Sequence, residues 1–243
     1  MLIFLFGAVV YALVTLLPLF FQELLGYTAL AAGMAVSPRG LGSLFFMPVI
    51  GILTDRVDNR YLVCAGFTFT ALCSFALARA DLGISQWSLL WPIVFSGASM
   101  SLIFVPLAAT TMGTLANEEI GNASGLYNLM RNVGGSIGIA VVNTMLVRHE
   151  QVHRSYLVYS FAGTSHTFQR QYQAVWAFLA QHTDATTAGM QAYKMLERSL
   201  EQQAALLSYV DDFRNLAFLC LACAPIAFAM KRVRARGRSS VAH

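Results

Sequence analysis

The sequence predicts an all-α membrane protein with six spanning helices, and three observations carry that prediction. Hydrophobic residues make up 57% of the 243 positions and Asp, Glu, Lys and Arg only 12%, about half the charged share of ordinary soluble domains. Six nearly uncharged stretches, 2–21, 37–54, 61–79, 89–112, 123–147 and 213–230, approach the roughly 20 apolar residues needed to cross a hydrocarbon core. These runs are continuous rather than alternating, which fits helices and argues against a barrel. The mean hydropathy of +0.59 agrees. The net charge of +4 sits mostly in one short tail, where it would meet anionic lipid rather than nucleic acid. No nucleotide-binding loop is present, so an ATP-driven pump is not supported and no cofactor is expected.

The first span starts at once, with no basic segment before it and no small-residue cleavage site soon after. A chain opening "MLIFLFGAVVYALV" reads as one that begins partway through a larger protein. Pro18, Pro48, Pro106 and Pro225 lie inside four of the spans, where each removes a backbone hydrogen bond and tends to kink the helix. Before residue 55 the only charges are Glu23 and Arg39; then Asp55, Arg56, Asp58 and Arg60 crowd the turn between the second and third spans. Asp55 ends one helix and Arg60 begins the next, each at the pole its charge disfavours, while Arg56 and Asp58 sit at favourable poles. The plain reading is an Asp55–Arg60 staple, with Asp58 capping the third span.

The fifth span is the most polar. "NLMRNVGGSIGIAVVN" places Asn128, Arg131 and Asn132 at i, i+3 and i+4 on one face. Arg131 lies about 12 Å from the cytoplasmic end at 1.5 Å per residue. Burying it at mid-bilayer costs at least ~2.5 kcal/mol, so it is expected to face the bundle interior or a wet cavity. Gly134, Gly135 and Gly138 follow at spacings that admit a neighbouring helix closely. The segment 148–212 is expected to be an external loop with an amphipathic helix, since Met190, Tyr193, Leu196, Leu200, Ala204 and Leu207 recur every three or four residues. The sixth span follows, and residues 231–243 form a basic tail that carries "KRVRARGR". The basic residues of the tail and of the 55–60 turn place both chain ends and the 113–122 turn on the cytoplasmic side. Loops 22–36 and 80–88 are then external. Cys64, Cys73, Cys220 and Cys223 all lie within spans, where a thiol behaves as a small hydrophobe.

The segment "LPLFFQELLGYTALAAGMAVSPRGLGSLFFMPVIGILTDRVDNRYLVCAGF", followed by "FVPLAATTMGTLANEEIGNASGLYNLMRNVGGSIGIAV", resembles the C-terminal half of the fourteen-span drug:proton antiporters of the major facilitator superfamily, the EmrB/QacA type. The resemblance covers nearly the whole chain. It is carried by the Q-x-x-x-G-Y-T segment (22–28), "SPRGLG" (37–42), the G-x-L-x-D-R turn (51–56) and "RNVGGSIG" (131–138). It implies a six-helix half-bundle of the major facilitator type in the bacterial cytoplasmic membrane, missing its N-terminal partner half, and no enzyme. It implies proton-coupled efflux of small amphipathic organic compounds, for some members with a periplasmic adaptor. It makes Gly51, Asp55, Arg56 and Arg60 a cytoplasmic gating turn, with Val57-Asp58 departing from the more usual Gly-Arg pair. The expected cavity residues are Tyr11, Thr15, Phe104, Thr111, Asn128, Arg131 and Asn132, and the antiporter motif and titrating acids belong to the other half.

Two other readings stand beside it. "HEQVH" (149–153) is formally the H-E-x-x-H pattern of zinc proteases, with His166, His182 or Glu197 to be considered as a third ligand. Arg148 and Arg154 flank it and would repel a dication, so a polar helix end at the outer mouth of the fifth span is preferred. The third reading is a truncated remnant that does not transport.

Overall fold

A computed structural model of the chain describes residues 1–81, 86–113, 118–161, 166–181 and 184–229, and every regular element among them is helical. The basic tail, His182 and the middles of the 80–88 and 113–122 turns lie outside the described residues. The helices are α1 (Leu2–Leu19), prolonged by a π-helical turn at Phe20–Leu24, α2 (Ala29–Val36), α3 (Pro38–Arg56), α4 (Asn59–Leu77) and α5 (Gln86–Met112). They continue with α6 (Ile120–Phe161), α7 (His166–Leu179) and α8 (Ala185–Ile226), which ends in a 3₁₀ turn at Ala227–Ala229. They form two compact units: residues up to Asn143 together with those from Asp212, and Thr144–Asp211.

Among the described residues five helical runs are long and apolar enough to cross a membrane: Leu2–Leu24, Ala29–Arg56, Asn59–Leu77, Trp87–Met112 and Thr186–Ala229. The expected fifth span, 123–147, is helical throughout as part of α6, yet α6 is not among the five. Arg131 and the asparagines at 128, 132 and 143, diluted further by glycine, lower its hydropathy. The amphipathic segment near 190–207 and the expected sixth span are one uninterrupted helix, α8. The charges at Asp211 and Asp212 therefore do not break it.

The Q-x-x-x-G-Y-T segment works as a helix stop and start. Gly26 is the one described residue with positive φ, at 67°, and it reverses the chain so that the Tyr27 amide donates to the Phe21 carbonyl at 3.1 Å. Thr28 then caps α2, accepting from the Ala31 amide at 3.3 Å. Only glycine adopts this backbone without steric cost.

Within the first unit, α4 and α5 are antiparallel. Asn59 donates to Thr110 Oγ1 (2.8 Å), Thr70 donates to Ser99 Oγ (3.0 Å), and Gly66 between them faces Ile103. α3 packs on the same helix at two glycines, Gly42 against the Val94 carbonyl and Gly97 against the Arg39 carbonyl. Ser101 adds a bond to the Ser43 carbonyl at 3.1 Å. α8 closes this unit through edge-on aromatic contacts, Phe213 on Phe20, Phe218 on Phe75 and Phe228 on Tyr61. The outer face of α3 leaves Leu44, Phe45, Val49 and Ile52 exposed, as a lipid-facing surface would.

α6 meets α1 in the same close way. A methyl group added at Gly134 would strike the Phe4 carbonyl, at Gly138 the Ala8 carbonyl, and at Gly135 the Tyr11 ring; Gly7 on α1 faces the Arg131 carbonyl in return. Such backbone-to-backbone crossings use small residues because lipid supplies no hydrophobic drive between helices.

Gly26→Ala is expected to destabilise the bundle by about 1 kcal/mol, the cost of a left-handed alanine. Mixed-micelle denaturant titration reads it as a lower unfolding midpoint; an unchanged midpoint would remove this role.

Candidate functional site

The α1–α6 crossing and the α3–α5 pair enclose an open cavity of about 430 Å³ in the first unit. α1 contributes Phe6, Val10, Tyr11 and Val14, α3 contributes Ser43 and Met47, α5 contributes Met100, Ser101 and Phe104, and α6 contributes Arg131. The wall is apolar and aromatic with one fixed cation. Phe104 is its centre: Phe6 lies 6.2 Å away and Tyr127 meets it edge-on at 6.1 Å. The Arg131 guanidinium carbon stands 5.8 Å from the Phe104 ring centroid, within cation–π range. Arg131 Nε is buried without a hydrogen-bond partner among the described residues. Beside it Tyr11 donates to Asn132 Oδ1 at 3.2 Å, tying α1 to α6.

Of the residues expected to line a cavity, Tyr11, Phe104 and Arg131 do so here, and Asn132 stands behind Tyr11. Thr15, Thr111 and Asn128 do not line it. Each gives its donor to its own helix, to the Tyr11, Leu107 and Ser124 carbonyls respectively. Short polar side chains satisfy themselves locally in this way where water is scarce. Arg39, whose charge alone gave no clue to a role, is the residue the sequence reading passed over. It is buried against Met100, a cavity-wall residue, and its place in "SPRGLG" was the available signal.

The 51–60 turn differs from the simple staple. Among the described residues no ion pair joins Asp55 to Arg60. Arg60 instead donates to the Phe228 carbonyl at 3.3 Å, a free acceptor at the end of α8 that suits a cation. Asp58 occupies the N-cap position of α4 without a side-chain cap bond. Asp55 and Arg56 are exposed, and Gly51 has open space around it.

The second unit holds a larger open cavity, about 880 Å³, walled in part by Val158, Phe168, Tyr193 and Leu200. None of the expected substrate residues is in it, and its cation, Arg154, pairs with Glu197 and Glu201 at 3.9 and 3.7 Å. The first-unit cavity, with an uncompensated cation and an aromatic floor, is the stronger candidate. The H-E-x-x-H histidines make no zinc site among the described residues. His153 Nε2 lies 2.7 Å from Asp211 Oδ2, and Glu197 is committed to Arg154, so neither is free as a ligand.

Comparison with known proteins follows the same lines. The profile of the Major Facilitator Superfamily matches residues 1–139. The chain is 29% identical over 219 residues to the fatty acid resistance protein FarB of Neisseria gonorrhoeae, covering 89% of this chain and 41% of that protein. It is 35% identical over 156 residues to the multidrug export protein EmrB of Escherichia coli K12, covering 64% and 30%. The colistin resistance protein EmrB of Acinetobacter baumannii is 24% identical over 230 residues, covering 94% and 44%. The chain thus spans less than half the length of each of these relatives.

Replacing Gly134 tests how the wall is assembled. Gly134→Ala should cost roughly 1–3 kcal/mol, as overpacking does, because the added carbon meets the backbone of Phe4. Gly125→Ala on the same helix, with nothing within 4 Å, should be neutral or slightly stabilising. Equal unfolding midpoints for the two variants would contradict the close α1–α6 contact.

Proposed function

The chain belongs to the Major Facilitator Superfamily, and on that premise we propose that it is the C-terminal half of a secondary transporter exporting amphipathic organic compounds against proton entry. The observation that carries this is the first-unit cavity, whose apolar and aromatic wall is broken by the single cation of Arg131. Such a wall suits molecules with a large apolar body and few polar groups. The printed descriptions of the relatives, naming fatty acids, multiple drugs and colistin, are consistent with substrates of that kind. Superfamily transporters alternate access by rocking two halves about a central site, and an open cavity on one half suits that arrangement.

α6 is taken as a sixth span, although its composition alone does not qualify it. Gly134 and Gly138 lie against the backbone of α1, the most apolar of the spanning runs, and a helix packed that way shares the depth of its neighbour. We assign both chain ends to the cytoplasm, a reading supported by the basic residues of the turn and tail. The 51–60 turn is assigned to the cytoplasmic gate: Arg60 is anchored on α8, whereas Asp55 is exposed and at the unfavourable pole of α3, available to a helix of the other half. Among the described residues no Asp or Glu lines the cavity, so the titrating group that couples protons is assigned to that half as well. A periplasmic adaptor would meet the second unit.

In the complete transporter, Arg131→Leu should abolish or redirect export. Asp55→Asn should cut it about tenfold, the effect of losing some 1.4 kcal/mol of state-selective contact. Both variants should reach the membrane at normal abundance. Dye efflux from cells and quantitative blotting read the two quantities, and normal export by both variants would leave the transporter reading without support in these residues.

A further inference from the structure

Arg39 is a charged group that the transport reading leaves unused. It stands in the first turn of α3 and is only 6% exposed. Its Nη2 lies 3.1 Å from Met100 Sδ, a weak acceptor, while Nε and Nη1 are buried and find no hydrogen-bond partner among the described residues. A buried guanidinium is costly unless an anion pairs with it, and no hydrogen bond to a carboxylate relieves these two nitrogens among the described residues. Met100 is itself part of the cavity wall, as is Ser43, one turn along α3 from Arg39. The guanidinium is therefore one side chain behind the wall. Arg131 brings a second cation to the same space, with its Nε also buried and unbonded.

We propose that Arg39 is a second anion-binding group of this cavity, covered by Met100 in the conformation described, and that with Arg131 it selects amphiphiles carrying an anionic head. The inference rests on reading the cavity as the substrate site and adds the chemical class of the head group. Methionine is unbranched and changes rotamer readily, so Met100 can uncover the guanidinium without any helix moving. A guanidinium presents parallel N–H donors that match a carboxylate. Phe6, Val10 and Phe104 then take the apolar body.

The test uses residues 1–243 in phosphatidylcholine nanodiscs, titrated with an anthroyloxy-labelled long-chain carboxylate and with its methyl ester. The acid should bind about tenfold more tightly than the ester, the scale of one charge-assisted contact. Arg39→Gln should weaken that preference severalfold, Arg131 supplying the remainder, while leaving ester binding intact, which also reports a preserved cavity. Met100→Ala, which uncovers the cation without touching it, should tighten acid binding and decides the matter should Arg39→Gln fail to assemble. An acid preference unchanged in Arg39→Gln, or acid affinity unmoved in Met100→Ala, would overturn the proposal. Loss of saturable acid binding when phosphatidylglycerol replaces phosphatidylcholine, at matched membrane-bound probe, would assign the site to an anionic lipid headgroup and overturn the substrate class. Binding of neither probe, or binding of both unaffected by Phe104→Ala, would instead bring down the cavity reading beneath it.

Discussion

The first unit depends on helices that touch backbone to backbone. Between spans the hydrophobic effect is absent, because lipid tails are as apolar as the side chains they would displace. What remains is dispersion and polar contact at short range, and both need small residues at the crossing. Gly7, Gly134, Gly135 and Gly138 supply them between α1 and α6; Gly42 and Gly97 supply them between α3 and α5. The cavity exists because these two pairs hold their tall residues, Tyr11, Met47, Met100 and Phe104, away from the crossings and around a common space. Remove the close contact and Arg131 has no fixed position over Phe104.

The same packing explains how two arginines persist in an apolar setting. Arg131 is held by the Phe104 ring and Arg39 by a thioether, and neither contact satisfies a guanidinium fully. Deficits of this kind are uncommon in natural proteins and concentrate where a ligand or a partner completes the bonding. In the 51–60 turn Arg60 has one bond to a helix end while its Nε is buried and unbonded among the described residues, and Asp55 is left at the surface.

Much of this was legible from residues alone, and the reasons are physical. Helical class followed from long uncharged runs, since only helices and closed barrels satisfy their own backbone in lipid. Arg131 and Tyr11 were legible because a charge and an aromatic hydroxyl inside apolar sequence are conspicuous. Thr15, Thr111 and Asn128 were not, because a hydroxyl or amide donating to its own helix has the same letter as one facing a cavity. Arg39 was missed for a related reason: at the edge of a run it looks like a boundary charge, and only the α3–α5 crossing shows that it is enclosed. The Asp55–Arg60 staple was reasonable from spacing, but the free carbonyls of α8, distant in sequence, attract Arg60 instead. The uninterrupted run of α8 through Asp211 and Asp212 was likewise hidden, since adjacent acids usually mark a membrane boundary.

The central claim is that α6, held by its glycines against α1, forms one wall of a solvent-reachable cavity at Arg131. Thiol labelling of Arg131→Cys measures it directly, in a background where Cys64, Cys73, Cys220 and Cys223 are replaced. The account predicts rapid reaction with a charged, hydrophilic maleimide and protection from it by an amphiphile that fills the cavity. Reaction with lipid-soluble reagents alone would place position 131 against the bilayer and contradict the account.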